Sequence, residues 1–165
     1  MRISNLLLAA GLLMVLGSFS MGALAADSAI RLKSIAQVEI EVIDQDGKKT
    51  KQRTPVLKAI PASEVIYTTT FENLVNKPVG NIVIDNPIPN DSEYKAGSAF
   101  GKDCDILFSA DGGKSYAAGE YLKVKGADGK ERIALPRDYT HIRWTYQGQL
   151  MAGKSGELGF RAVIK

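Results

Sequence analysis

The chain has 165 residues, with 21 Lys and Arg against 18 Asp and Glu, one His and one Cys. This near-balance, with the basic residues scattered, leaves no electrostatic footprint for nucleic acid. A lone cysteine excludes an internal disulfide, and one His with one Cys supplies too few ligands for a zinc centre.

The N-terminus reads as a targeting segment. Arg2 supplies a short positive region, Leu6 to Leu16 an apolar run, and Ala23-Leu24-Ala25 a small-x-small cleavage pattern. A signal peptide over residues 1–25 is therefore expected, cut near Ala25/Ala26. The apolar run falls short of the ~20 residues that span a bilayer, so after cleavage the protein is not expected to be integral to the membrane. No cysteine sits at the cut, which argues against a lipoprotein. The expected location is periplasmic or secreted, with residues 26–165 forming a single domain. A chain of that size buries about 68% of its unfolded surface, enough for a core without disulfides.

The segment from Asp27 to Lys33 precedes the first clear strand and reads as a frayed terminus, or as a free arm able to donate a strand. Val38, Ile40 and Val42 then alternate with Gln37, Glu39 and Glu41, the period of a half-buried strand. Asp46-Gly47 marks a hairpin turn, with the run Lys48-Lys49-Thr50-Lys51-Gln52-Arg53 as its solvated tip. Lys48, Lys49, Lys51 and Lys58 would discourage edge pairing there.

Further along, Val65, Tyr67, Thr69 and Phe71 share one face of a strand. Asn86-Pro87-Ile88-Pro89 cannot lie in a central strand, since each proline removes a ladder donor. Ile106 and Phe108 follow, then the Asp111-Gly112-Gly113 turn, Leu122 and Val124, and the Asp128-Gly129 turn. Ile142, Trp144 and Tyr146 mark a central strand. The last strand points Leu158, Phe160, Ala162 and Ile164 inward and Arg161 and Lys165 outward. No stretch beyond the signal has helical periodicity. The fold class expected is all-β, an immunoglobulin-like antiparallel β-sandwich with Greek-key connections and roughly seven to nine strands.

The order of motifs adds a resemblance. Tyr67-Thr68-Thr69-Thr70-Phe71-x-Asn73, Ile82-Val83-Ile84, Pro87-Ile88-Pro89 and Tyr94-x-x-Gly97-Ser98 come in sequence, followed by Leu150-x-x-Gly153-x-Ser155-Gly156-x-Leu158-x-Phe160. Together they resemble the bacterial conserved-repeat domain, a family of unknown function found in surface and secreted proteins. The resemblance covers roughly residues 35–165. It implies an immunoglobulin-like fold and transfers no catalytic residue. Asn86 stands where that family more often has Asp, and Asp111 to Pro136 looks like an added hairpin.

Chemistry-bearing groups are sparse. His141 lies on the strand face opposite Trp144, beside Arg143, and no serine sits in a nucleophile elbow. Asp44-x-Asp46-Gly47 begins like a calcium loop but lacks the closing acidic residue. Asp103 with Asp105, or Asp85 with Asp91, could meet at one end of a sandwich as oxygen ligands, though turn-capping carboxylates are the simpler reading. Tyr94, Tyr116, Tyr121 and Tyr139 could form a carbohydrate platform, or Tyr139 a tyrosine corner; Tyr67, Tyr146 and Trp144 fit core positions. Gly97-x-x-x-Gly101 lacks the Lys-Ser/Thr of a phosphate loop. Cys104 reads as a half-buried strand residue whose neighbours Asp103 and Asp105 raise its thiol pKa.

No catalytic, cofactor-binding or metal residue is therefore assigned, and no cofactor is expected. The function expected is a non-enzymatic exported structural or interaction module of the cell envelope or surface, with an envelope protein or a glycan as partner. The alternatives are a carbohydrate- or calcium-binding module, or a subunit of a strand-exchange filament.

Overall fold

The computed structural model describes residues 29–58 and 60–165. The expected signal peptide over 1–25 and the start of the expected arm at Asp27 lie outside the described residues. What is described is all-β, with one short 3-10 turn at Pro136–Asp138. The strands are β1 (Ile30–Ile43), β2 (Lys49–Pro55), β3 (Glu64–Asn73), β4 (Val79–Gly80), β5 (Val83–Pro87), β6 (Ser92–Tyr94) and β7 (Phe100–Gly101). They continue with β8 (Cys104–Ser109), β9 (Lys123–Lys125), β10 (Glu131–Ile133), β11 (His141–Tyr146), β12 (Gln149–Leu150) and β13 (Ser155–Ile164).

All pairings are antiparallel. The larger sheet runs β2-β1-β3-β13-β6, with β7 also on β13, and the smaller runs β5-β11-β8. Two short ladders, β9 with β10 and β4 with β12, complete the set. The strand-face alternation explains why the two sheets meet. Phe71, Leu158, Phe160 and Ala162 from the larger sheet join Ile84, Ile142 and Trp144 from the smaller in one buried cluster. Trp144 is fully buried, and its Nε1–H donates to the Phe100 carbonyl at 2.9 Å, so the indole's one polar group is satisfied. The Phe160 ring stacks on Tyr67 at 5.1 Å and lies 6.3 Å from Trp144. Each such large side chain is worth about 1.5–3 kcal/mol of burial.

β3 is buried on both faces. Ile66 and Thr68 are about as enclosed as Val65 and Phe71, and β7 brings Phe100 over Gly159, the residue paired with Thr68. One sequence expectation is corrected at the other end of the sheet. Ile30 to Lys33 do not form a free arm: Ile30, Arg31, Leu32 and Lys33 pair in register with Asn73, Glu72, Phe71 and Thr70. Further along β1, which pairs with β2 from Gln37 onward, Val38 and Val42 are half-buried while Ile40 is exposed.

β5 is an edge strand, which accounts for its prolines. Tyr146 N–H donates to the Ile82 carbonyl and Ile88 N–H to the Thr140 carbonyl, so alternate residues between them turn toward β11. Pro87 falls in the other set, and the donor it lacks would have pointed to the open side.

Candidate functional site

The residues that carry the family resemblance are used by the scaffold. Asn73 is buried at the end of β3, where its Nδ2 donates to the carbonyls of Lys77 and Leu150, both at 2.8 Å, and its Oδ1 accepts from Val75 N–H at 3.0 Å. One side chain thus ties the β3–β4 loop to β12. Tyr94 is also buried, stacked on Tyr139, and its hydroxyl accepts from Ala99 N–H at 3.1 Å. It closes the turn that Gly97 makes possible with φ +71°, a backbone state that Gly enters at little cost. Ser98 Oγ donates to the Lys95 carbonyl and accepts from Arg161 N–H, fastening that turn to β13. At Gly156 the Phe71 ring occupies the space of a side chain.

The candidate chemical groups are dispersed. His141 Nδ1 lies 3.2 Å from Thr140 Oγ1. Ser109 is its cross-strand partner, but that hydroxyl is fully buried and donates to Asp111 Oδ1 at 2.7 Å. Asp111 also accepts from Lys114 N–H, Ser115 N–H and the Ser115 hydroxyl. The Ser115 bonds in particular hold its carboxyl far below the ordinary range. Asp44 Oδ1 accepts from Asp46 N–H and Lys48 N–H, capping the β1–β2 turn. Asp105 accepts from Gln147, and Asp91 from Ser92. Among the described residues no three His, Cys, Asp or Glu side chains gather as metal ligands.

Asp85 is held instead by Arg143. Arg143 Nε and Nη2 reach the two carboxylate oxygens at 2.7 Å each, lowering the Asp85 pKa chiefly through these bonds. The same guanidinium lies 3.9 Å over the Tyr116 ring, covering one aromatic face. Of the other platform candidates, Tyr139 packs on Phe108 with ring centres 4.6 Å apart, while Tyr121 stands exposed. The four tyrosines share no common face. Tyr94, not Tyr139, makes the loop-closing hydroxyl bond expected of a tyrosine corner. Cys104 is half buried, and burial first, then Asp103 and Asp105, pushes its thiol up.

What remains on the surface is organised around the β1–β2 ribbon. On one face Glu39 meets Arg53 and Lys51, and Glu41 meets Lys49. Arg161 reaches across from β13 to Glu39 at 2.8 Å and to Glu64 at 2.7 Å, and Lys95 pairs with Glu64. This network pins the ribbon to β3 and β13. Lys95 and Arg161 together hold the Glu64 pKa below its ordinary value, and Arg161 does the same for Glu39. The other ribbon face carries Val38, Ile40 and Val42 opposite Thr54, Gln52 and Thr50.

Exposed apolar residues occur on both faces of β1 and in the segment after β2. Of thirteen exposed large apolar side chains among the described residues, six lie between positions 32 and 60: Leu32, Ile35, Ile40, Ile43, Leu57 and Ile60. Leu57 is 96% exposed and Ile43 70%, more than a solvated scaffold requires. Sequence reasoning read Val38, Ile40 and Val42 as one face of a half-buried strand and did not single out this surface; Val38 and Val42 are half-buried and Ile40 is exposed. A scan of protein-family models and a search of curated proteins found no match for the chain.

Proposed function

We propose that the protein is a non-enzymatic structural or interaction module exported to the bacterial cell envelope or surface, with an immunoglobulin-like sandwich as its frame. The resemblance to the conserved-repeat family and the reading of residues 1–25 as a signal peptide support that setting. Two antiparallel sheets sharing one core, with β3 and β13 adjacent though distant in sequence, favour Greek-key connections. The observation that carries the interaction reading is the set of exposed apolar side chains Leu32, Ile35, Ile40 and Ile43 along β1, with Leu57 and Ile60 in the segment after β2. Presentation of this ribbon by a rigid frame is the mechanism proposed.

The test is capture from an envelope extract by the tagged chain, with bound proteins identified by mass spectrometry. Ile40→Ser with Leu57→Ser should abolish capture while leaving the circular dichroism spectrum unchanged. A Trp144→Ala chain serves as the unfolded control. Capture that survives the double substitution, or that only the unfolded control shows, overturns the reading.

A further inference from the structure

The sandwich is open along one side. There the first half of β1, before β2 joins it, lies across from β5, the edge of the smaller sheet, and the two strands line the same two hollows. Ile30 and Leu32 with Val79, Ile82 and Ile84 border about 300 Å³, and Ala36, Tyr67 and Phe160 with Pro87 and Pro89 border about 330 Å³. None of the residues lining either hollow carries a charge. Leu32 shows what the gap lacks. Ser34 Oγ lies 2.8 Å from Thr69 Oγ1, and Ile30 packs against the core cluster, so alternation puts Leu32 on the same inward face. It is nevertheless 53% exposed. Among the described residues, β5 pairs with β11 alone.

Main-chain groups border the gap from both sides. The Ala29 carbonyl accepts from Leu74 N–H beside β3, and the Ala36 carbonyl accepts from Val56 N–H on the opposite side. Odd-numbered residues of this half of β1 therefore bond β3, and Leu32 and Ser34 turn their N–H and C=O to the side that β2 has not yet reached. On β5 the even-numbered residues bond β11, so Val83 and Asp85 present N–H and C=O outward and Pro87 its carbonyl. A small apolar molecule would answer the hollows and leave these groups unused. A row of donors and acceptors repeating every second residue is answered by another strand. The gap is also preformed: Asn86 Nδ2 donates to Thr69 Oγ1 at 3.0 Å, and the Thr69–Ser34 contact completes a polar chain from β5 to β1.

We propose that this gap receives an extended segment of another polypeptide, added as a strand along the open edge of β5 with uncharged, apolar side chains directed inward. The hollows follow one another at residues 30–32 and 34–36 of β1 and at 82–84 and 86–89 beside β5, a separation of about four residues or ~13 Å of strand. Inward positions i and i+4 of the segment fill them. Position i+2 meets the Asn86–Thr69–Ser34 chain and takes a small polar side chain. The site stands apart from Ile40 and Leu57, so it goes beyond the interaction reading of the ribbon and names a different surface with a peptide strand as its ligand.

The probe is a pool of blocked eight-residue peptides with Leu, Ile, Val or Phe at positions i and i+4, Thr between them, and Ser or Lys at the outward positions. Members retained by the immobilised chain are expected, and with such a member bound the Val83 and Asp85 amides should exchange about tenfold more slowly. N-methylation of the peptide at residues whose N–H faces β5 should abolish binding, whereas N-methylation at the alternate residues should leave it intact. Leu32→Glu and Val83→Pro should each weaken binding about tenfold; Leu32 is exposed and Val83 N–H faces away from β11, and circular dichroism checks the fold. Should Val83→Pro misfold, Leu32→Glu and the N-methyl series decide. Retention of no member at millimolar peptide, or binding indifferent to the N-methyl pattern, overturns the proposal. Ile40→Ser with Leu57→Ser should leave peptide binding unchanged, so a failure of the ribbon reading and a failure of this one are told apart.

Discussion

Replacing Asn73 isolates the claim that the motif residues build the frame. Asn73→Ala removes three hydrogen bonds at once and leaves the carbonyls of Lys77 and Leu150 and the Val75 N–H without their partner. At about 1 kcal/mol net per bond, the loss comes to about 3 kcal/mol, a large part of the 5–15 kcal/mol that holds an ordinary domain together. For a chain of this size that corresponds to a fall in melting temperature of roughly 10 °C. Asn73→Asp makes a sharper control. It keeps the acceptor for Val75 N–H but aims a carboxylate at two carbonyl oxygens, so it should cost more than alanine at neutral pH. A buried carboxyl that faces two carbonyl oxygens and accepts from one N–H alone has a raised folded-state pKa, so acidification protonates it, restores one donor and narrows the gap to the parent. Urea denaturation monitored by Trp144 fluorescence reads both variants at neutral and mildly acidic pH. A loss under about 0.5 kcal/mol for alanine, or an aspartate variant more stable than the alanine one, would refute the reasoning.

Four further outcomes are expected. Gly156→Ala should destabilise by about 1–3 kcal/mol because its methyl meets the Phe71 ring, and adding Phe71→Leu should recover part of the loss in a double-mutant cycle. Trp144→Phe should cost about 1–3 kcal/mol through the orphaned Phe100 carbonyl and lost packing, with the same fold by circular dichroism. Asp138 is held down to about 2, chiefly by its bonds to Arg132. Its contribution to stability is therefore present above the ordinary 3.8 and lost as pH falls toward about 2; Asp138→Asn should flatten that part of the acid denaturation curve. Cys104 should alkylate with a pH midpoint above the ordinary thiol value, and Asp103→Asn should lower it only slightly because burial is the larger cause.

Much of the frame is legible in the sequence because period-two alternation is a direct record of which face meets a second layer. Trp144, Leu158, Phe160 and Ala162 read correctly for that reason. The same signal holds for half-buried Val38 and Val42 and misleads only at Ile40, which is exposed. The cover over Gly159, the partner of Thr68, is not written in β3 itself, since it comes with Phe100 from β7. Ile30 to Lys33 looked unstructured because a short, mostly exposed edge segment carries little apolar pattern, and its order comes from main-chain pairing. Tyr94, expected only as a platform candidate, makes the loop-closing bond, as the ring that reaches a backbone N–H is decided by the turn after Gly97 rather than by local sequence. The candidate surface was the least legible part: exposed isoleucines on a strand have the same one-dimensional pattern as buried ones.

The interaction proposed for this protein runs through the β1–β2 ribbon rather than through the segment from Asp111 to Pro136 that carries Tyr121. A photo-crosslinking amino acid placed at Ile40 in one strain and at Tyr121 in another, followed by irradiation of intact cells, separates the two. Discrete crosslinked products are expected from position 40 and none from position 121. Products from position 121 with none from position 40 would contradict it.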